Sequence, residues 1–155
     1  MKKVTIRKLL FLLTLLVLAM LLTSGCDPNT SKDTSLVGTW RAIEAITGEE
    51  TETYPAPSEE DPSALEQPYI QFETDVVKMY IKQIFENEDS VVYLVSESTY
   101  LVSGDKIPYT DQKEEIATYR ISDNNIIINF QEDGQTQIIK AVKVSDSEVA
   151  GAISL

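Results

Sequence analysis

Two overlapping hairpins near the C-terminus constrain the fold of this chain more than any other feature of its sequence. Asp133-Gly134 is a dipeptide that tolerates the positive φ angles of a two-residue β-turn. Pairing outward from it sets Phe130 opposite Gln137, Ile128 opposite Ile139 and Ile126 opposite Ala141. Asp123-Asn124 marks the preceding turn, and pairing around it sets Ile121 opposite Ile126, Tyr119 opposite Ile128 and Ala117 opposite Phe130. The two registers are chosen independently. Both place Ala117, Tyr119, Ile121, Ile126, Ile128, Phe130, Ile139 and Ala141 on one face. Side chains alternate with period two along a strand, so a slip of one residue in either hairpin would scatter that set. The segment therefore reads as an antiparallel meander.

The same chemistry extends upstream. From Leu36 onward apolar residues recur mainly with period two, in segments rich in Val, Ile, Tyr, Phe and Thr. A turn at Thr74-Asp75 pairs Phe72 with Val77 and Ile70 with Met79; Ile81 continues the apolar face, and Lys78 and Lys82 point outward. Val76, Val77, Tyr80, Ile81, Ile84 and Phe85 also fit a helical stripe capped by Asp75, but the β-branched and aromatic content favours a strand. The run from Val91 to Val102 changes phase near Ser96 to Ser98, which predicts a bulge or bend. Ser103-Gly104-Asp105 then turns the chain, and Ile107 to Tyr109 begins its return. Another phase change follows Ala141, and the last strand is expected over about residues 148–153. Residues 47–68 are the exception: acidic, proline-rich and without strand periodicity, they predict a lid-like loop or a disordered insert, with one helical turn available to Ser63 to Gln67. The fold expected is all-β, an up-and-down antiparallel barrel of about eight strands, or alternatively a β-sandwich, over residues 36–155.

The first 25 residues follow different rules. MKKVTIRK carries four cations and no acid, and Leu9 to Leu22 is apolar except for Thr14. A basic segment before a short apolar one is the pattern of a secretory signal, and fourteen residues are too few for a comfortable membrane span. Thr23-Ser24-Gly25 follows, and then Cys26, the single cysteine of the chain. This resembles a lipobox, with Thr23 at the position usually held by Leu, Val or Ile. The resemblance implies cleavage before Cys26, a diacylglycerol on its thiol and further acylation, palmitate included. An ordinary signal peptide cut nearby, leaving a free thiol, is the alternative. A retained anchor is disfavoured because no basic stop-transfer cluster follows. Residues 26–35 are polar and turn-forming, a tether between anchor and domain. Asp27 resembles the inner-membrane retention signal of enteric bacteria, and other lineages sort differently, so the target membrane stays open.

Composition then excludes more than it assigns. All 25 acids lie after residue 25 while four of the 13 Lys and Arg lie before it, so the mature chain carries 9 − 25 = −16. That charge argues against nucleic acid and against adsorption to anionic headgroups. There is no histidine, which removes the commonest general base and metal ligand. With the one cysteine assigned to lipid, no cofactor or zinc, copper or thiol chemistry is expected. Glu59-Glu60-Asp61, Glu114-Glu115 and Glu132-Asp133 fall in loops or turns, where a solvated surface is the plain reading. Calcium would suit acidic loops, but no D-x-[DN]-x-[DN]-G spacing is present. No serine lies in G-x-S-x-G, so an enzyme is not expected.

Leu36-Val37-Gly38-Thr39-Trp40 carries a Gly-x-Trp at the head of the first strand. Together with eight or nine sequential antiparallel strands in about 120 residues, this resembles the lipocalin-like domains of small bacterial lipoproteins. The resemblance implies that Trp40 plugs the closed end of a barrel, with Gly38 beside it as a structural residue. It also implies an Arg from a late strand set against the indole; this chain departs from that pattern, with Lys140 or Lys143 nearest and Arg120 a little earlier. The long first connection would overhang the open end. On its own chemistry, a lone Trp beside Gly at the start of a β domain is a core anchor. Phe72, Met79, Ile81, Tyr119, Ile128 and Phe130 are the candidates for an apolar ligand pocket, with Tyr119 as its polar handle. Two functions follow: a lipid-anchored envelope barrel binding a small hydrophobic ligand beneath residues 47–68, or a non-catalytic interaction or structural module with an envelope protein as partner.

Overall fold

The structure is a computed structural model, and it describes residues 36–100, 106–108, 116–132 and 135–154. The export segment, Cys26, the tether, the turns at residues 103–105 and 133–134, and Glu114-Glu115 lie outside the described residues. The domain is all-β. Its strands are β1 (Gly38–Thr47), β2 (Glu50–Thr53), β3 (Ala56–Pro57), β4 (Ala64–Phe72), β5 (Val76–Phe85), β6 (Val91–Thr99), β7 (Lys106–Pro108), β8 (Ile116–Ser122), β9 (Asn125–Glu132), β10 (Gln135–Val144) and β11 (Ile153–Ser154).

The hydrogen-bonded order is β11-β6-β5-β4-β1-β10-β9-β8-β7, with β2 added to β1 and β3 added to β4. The first strand thus pairs with β10, as in an up-and-down barrel, and every pair but β11–β6 is antiparallel. Among the described residues the ring is nevertheless not closed: the path ends at β6, with β11 on its edge, and at β7. The expectation of a closed barrel is corrected to a barrel-ordered sheet that opens between these strands.

Registers follow the sequence pattern. β9 and β10 pair Phe130 with Gln137, Ile128 with Ile139 and Ile126 with Ala141, while β8 and β9 pair Ile121 with Ile126 and Tyr119 with Ile128. β4 and β5 pair Phe72 with Val77 and Ile70 with Met79, so residues 76–85 form a strand and the helical alternative is discarded. The phase change in β6 is a bulge: Met79 faces Ser96 and Tyr80 faces Leu94, leaving Val95 as the extra residue. That extra residue packs against the inner core, which is how the bulge restores an apolar side chain to the inner face.

Two expectations fail. Residues 63–67 are not helical, because β4 begins at Ala64 and Glu66 and Gln67 are held in its ladder. Residues 148–153 are not a strand: a single 3-10 turn spans Asp146–Glu148, and only Ile153 and Ser154 pair with β6. The C-terminal segment instead crosses the outside of the sheet. Val149 is buried there with Tyr69 and Tyr80, and Val92, Leu94, Val144 and Ala152 pack around them. Thr39 Oγ1 donates to Asp146 Oδ1 at 2.6 Å, and Tyr69 Oη donates to Glu148 Oε2 at 3.0 Å. This strap is why Tyr69 and Tyr80, which point away from the inner face, are buried at all.

Residues 48–63 are also more ordered in pattern than the sequence implied. β2 pairs with the second half of β1, and β3 pairs with the start of β4. The neighbour of β1 therefore changes from β4, over Gly38–Arg41, to β2, over Glu44–Thr47. A bulge at Ile43 marks the change. Carbonyls exposed at such a split need partners if buried. Gln67 Nε2 donates to Ala42 O at 2.7 Å, and Tyr54 N donates to Ile43 O at 3.0 Å.

Candidate functional site

The inner face of the sheet collects one hydrophobic cluster: Leu36, Trp40, Ala42, Ile70, Phe72, Val77, Met79, Tyr100, Ala117, Tyr119, Ile126, Ile128, Phe130, Ile139 and Ala141. Five of the six pocket candidates, Phe72, Met79, Tyr119, Ile128 and Phe130, belong to it, and Ile81 is buried on β5. The structure therefore brings the predicted residues together. Their side chains expose only 3–9% of their surface, Met79 at the low end and Ile81 at the high end. At that exposure the six side chains are buried, which favours an interior filled by protein at their level. Phe72 and Tyr100 meet edge to face with centroids 5.3 Å apart, an arrangement that aromatic quadrupoles favour. Ser96 Oγ, at the β6 bulge, is buried without a hydrogen-bond partner.

One end of this interior is sealed by Trp40. Its indole is fully buried, and Nε1 donates to Leu36 O at 2.8 Å, which fixes the point where the chain enters the domain. Lys143 Nζ lies 5.1 Å from the centroid of the indole ring. Of the three cations named from the sequence, Lys143 is thus the one set against the Trp; Lys140 instead pairs with Glu44 on the outer side, and Arg120 is exposed on β8. Gly38 makes this possible. Its φ is +131°, and a Cβ there would stand 2.8 Å from Lys143 Cε, so any side chain would force the lysine stem to shift.

The other end is built by polar groups that the sequence did not single out. Glu66 is buried on β4, and Ser58 Oγ donates to its Oε1 at 2.6 Å. The same hydroxyl accepts from the backbone N–H of Glu60 and Asp61, at 3.3 and 3.2 Å. Asp61 Oδ1 in turn accepts from Ser63 N and Oγ, which holds its carboxyl below the usual range. Tyr54 Oη donates to Glu52 Oε2 at 2.8 Å. Burial, with Glu52 and then Glu66 beside it, pushes the Tyr54 phenol well above its ordinary value. The signal for this arrangement was weak: a serine eight residues before a glutamate says nothing until β3 and β4 pair.

The carboxylates of Glu52, Glu66 and Asp61 are engaged by hydroxyls and amides of their own neighbourhood. Among the described residues, no group of three or more Asp, Glu, His or Cys side chains is placed to hold a metal ion. Outside the inner face, Tyr80 Oη donates to Gln71 Oε1, Gln71 Nε2 to Thr39 Oγ1, and Thr39 to Asp146, a continuous chain beneath the strap. Burial pushes the Tyr69 phenol up to about 12, helped by its bond to Glu148. No known family model and no curated protein matches this chain.

Proposed function

We infer that the mature chain is a lipid-anchored, non-catalytic interaction module of a bacterial envelope, whose interior is structural and whose surface carries its function. The observation that carries the reading is the buried inner face: of the six side chains best suited to line an apolar pocket, five belong to one buried cluster and the sixth, Ile81, is buried on β5. Ligand pockets of drug-like size are concave spaces of ~300–1,000 Å³, and side chains buried to this degree support a filled interior over such a space. The pairing of β1 with β10, the buried Trp40 and the cation over it support a lipocalin-like ancestry of the sheet. In this reading that architecture serves as a filled scaffold. The signal-like residues 1–25 and Cys26 support export and lipid attachment, with the domain held outside the cytoplasm.

Two measurements test the reading. Cys26→Ser shifts the protein from the membrane fraction to the soluble fraction; continued membrane association would overturn the anchor. Native mass spectrometry of the detergent-extracted protein gives the mass of the acylated polypeptide alone. A stoichiometric small hydrophobic adduct, lost on unfolding, would reinstate the ligand-binding alternative.

A further inference from the structure

We propose that the domain stands on its membrane with the Trp40 end down and the carboxylate-lined end outward. The inference rests on the lipid attachment of Cys26 read above and adds to it a fixed orientation. Two independent observations carry it.

The first is where the chain enters. Leu36 is fully buried and bonded to Trp40 through its carbonyl, so the connection to Cys26 leaves from the sealed end. The turn after β4 (residues 73–75), the turn after β8 (residues 123–124) and the end of β10 lie at the same end, because β4, β8 and β10 all run antiparallel to the up-running strands β1, β5 and β9. The turns that follow β1, β3 and β5 lie at the other. Ten strand residues such as those of β1 span ~30 Å. The ten Cα-to-Cα steps from Cys26 to Leu36 reach at most ~35 Å when drawn straight. Inversion would therefore require that segment to be fully taut along the flank of the domain.

The second is the distribution of charge. Residues 48–63 and 86–90, at the far end, contain Glu49, Glu50, Glu52, Glu59, Glu60, Asp61, Glu86, Glu88 and Asp89 and no lysine or arginine. The near end mixes signs: Glu73, Asp75, Glu97, Asp123 and Asp146 stand with Arg41, Lys78 and Lys143, and Lys78 is paired with Glu73 at 2.6 Å and Glu97 at 3.8 Å. An anionic headgroup layer repels charges that come within a Debye length, ~8 Å at physiological ionic strength. It therefore disfavours the far end more than the near one. Geometry and charge select the same pole.

The orientation is read by energy transfer in the full, acylated protein. Thr74→Cys (near) and Asn87→Cys (far) are exposed positions, and each supplies the single free thiol once Cys26 is acylated. Each is labelled with a donor and placed in phosphatidylglycerol/phosphatidylcholine vesicles (1:3) bearing rhodamine headgroups. Transfer at least twofold stronger from Thr74→Cys than from Asn87→Cys is expected. Asn124→Cys and Glu60→Cys repeat the comparison should either first variant fold poorly. Equal transfer, as from a domain lying on its side, or stronger transfer from the far position would overturn the proposal. Mass spectrometry of Cys26 separates the two readings. An unmodified thiol defeats the anchor and the orientation together, whereas an acylated Cys26 with equal or inverted transfer defeats the orientation alone.

Discussion

The two ends of the sheet solve the same problem, closing an apolar interior, by opposite chemistry. At the Trp40 end one large indole, a glycine and a lysine stem do the work, and the seal is tight enough that Trp40 has no exposed surface. At the far end the strands diverge, and the closure is a polar one, with Ser58, Glu66, Tyr54, Glu52 and Gln67 satisfying one another and the split backbone. The apolar end draws its stability from area and packing. The polar end gains little net free energy per hydrogen bond, because each replaces a bond to water, but each is costly to break once buried. The first end therefore fixes the fold, and the second fixes a local loop.

That contrast yields graded predictions. Trp40→Ala removes the largest fully buried side chain and should cost about 3–5 kcal/mol in urea unfolding; a loss under 1 kcal/mol would deny that this end anchors the fold. Gly38→Ala should cost about 1–3 kcal/mol, because a non-glycine residue at φ +131° is strained. It also forces the Lys143 stem to shift, so the emission of Trp40, the one tryptophan of the chain, should shift with it. Ser58→Ala removes the partner of buried Glu66 and should cost about 1–3 kcal/mol, with faster amide exchange confined to residues 58–66 rather than spread through the sheet. Glu60→Gln, at an exposed position of the far end, should change stability by no more than about 0.5 kcal/mol.

Alkaline titration sharpens the same comparison. Tyr54 at the far end, Tyr100 at the near end, and Tyr69 and Tyr80 under the strap all hold their protons more tightly in the folded chain than in the unfolded one, chiefly through burial. A group whose folded pKa is raised contributes stability below its unfolded pKa, here 10, and loses it as pH rises toward the folded value. Stability should therefore fall steadily above pH 10. Of the seven tyrosines, the tyrosinate absorbance of these four should appear only with the loss of β-sheet circular dichroism, and full tyrosinate absorbance reached while the sheet signal is intact would contradict the burial of these phenols.

How far the sequence carried this structure depends on whether a feature is local. The β8–β9–β10 and β4–β5 registers were legible because tight turns and a two-residue period specify them within about twenty residues. Gly38 and Trp40 were legible because a rare residue type beside a glycine has few alternatives. What escaped was of two kinds. The strap over Tyr69 and Tyr80 places residues together that are far apart in sequence, as Thr39 and Asp146 are, whereas β2 and β3 pair locally with β1 and β4 in ladders too short to show a period. Residues 48–63 lack periodicity because β2 and β3 are short and flank a split, so acidic surface residues dominate their pattern. Five of the six pocket candidates share one buried cluster, but how tightly they pack is a three-dimensional property that periodicity cannot report.

The claim on which the rest depends is that the inner face is filled. Met79 lies on that face, in register with Ile70 and through it with Trp40, and a methyl resonance there reports directly on anything that enters to that depth. With the Met79 methyl 13C-labelled, titration of the folded protein with a long-chain fatty acid should leave the resonance in place up to saturating concentrations. A saturable, one-to-one shift of that signal would show that the interior admits a ligand, and would contradict the account.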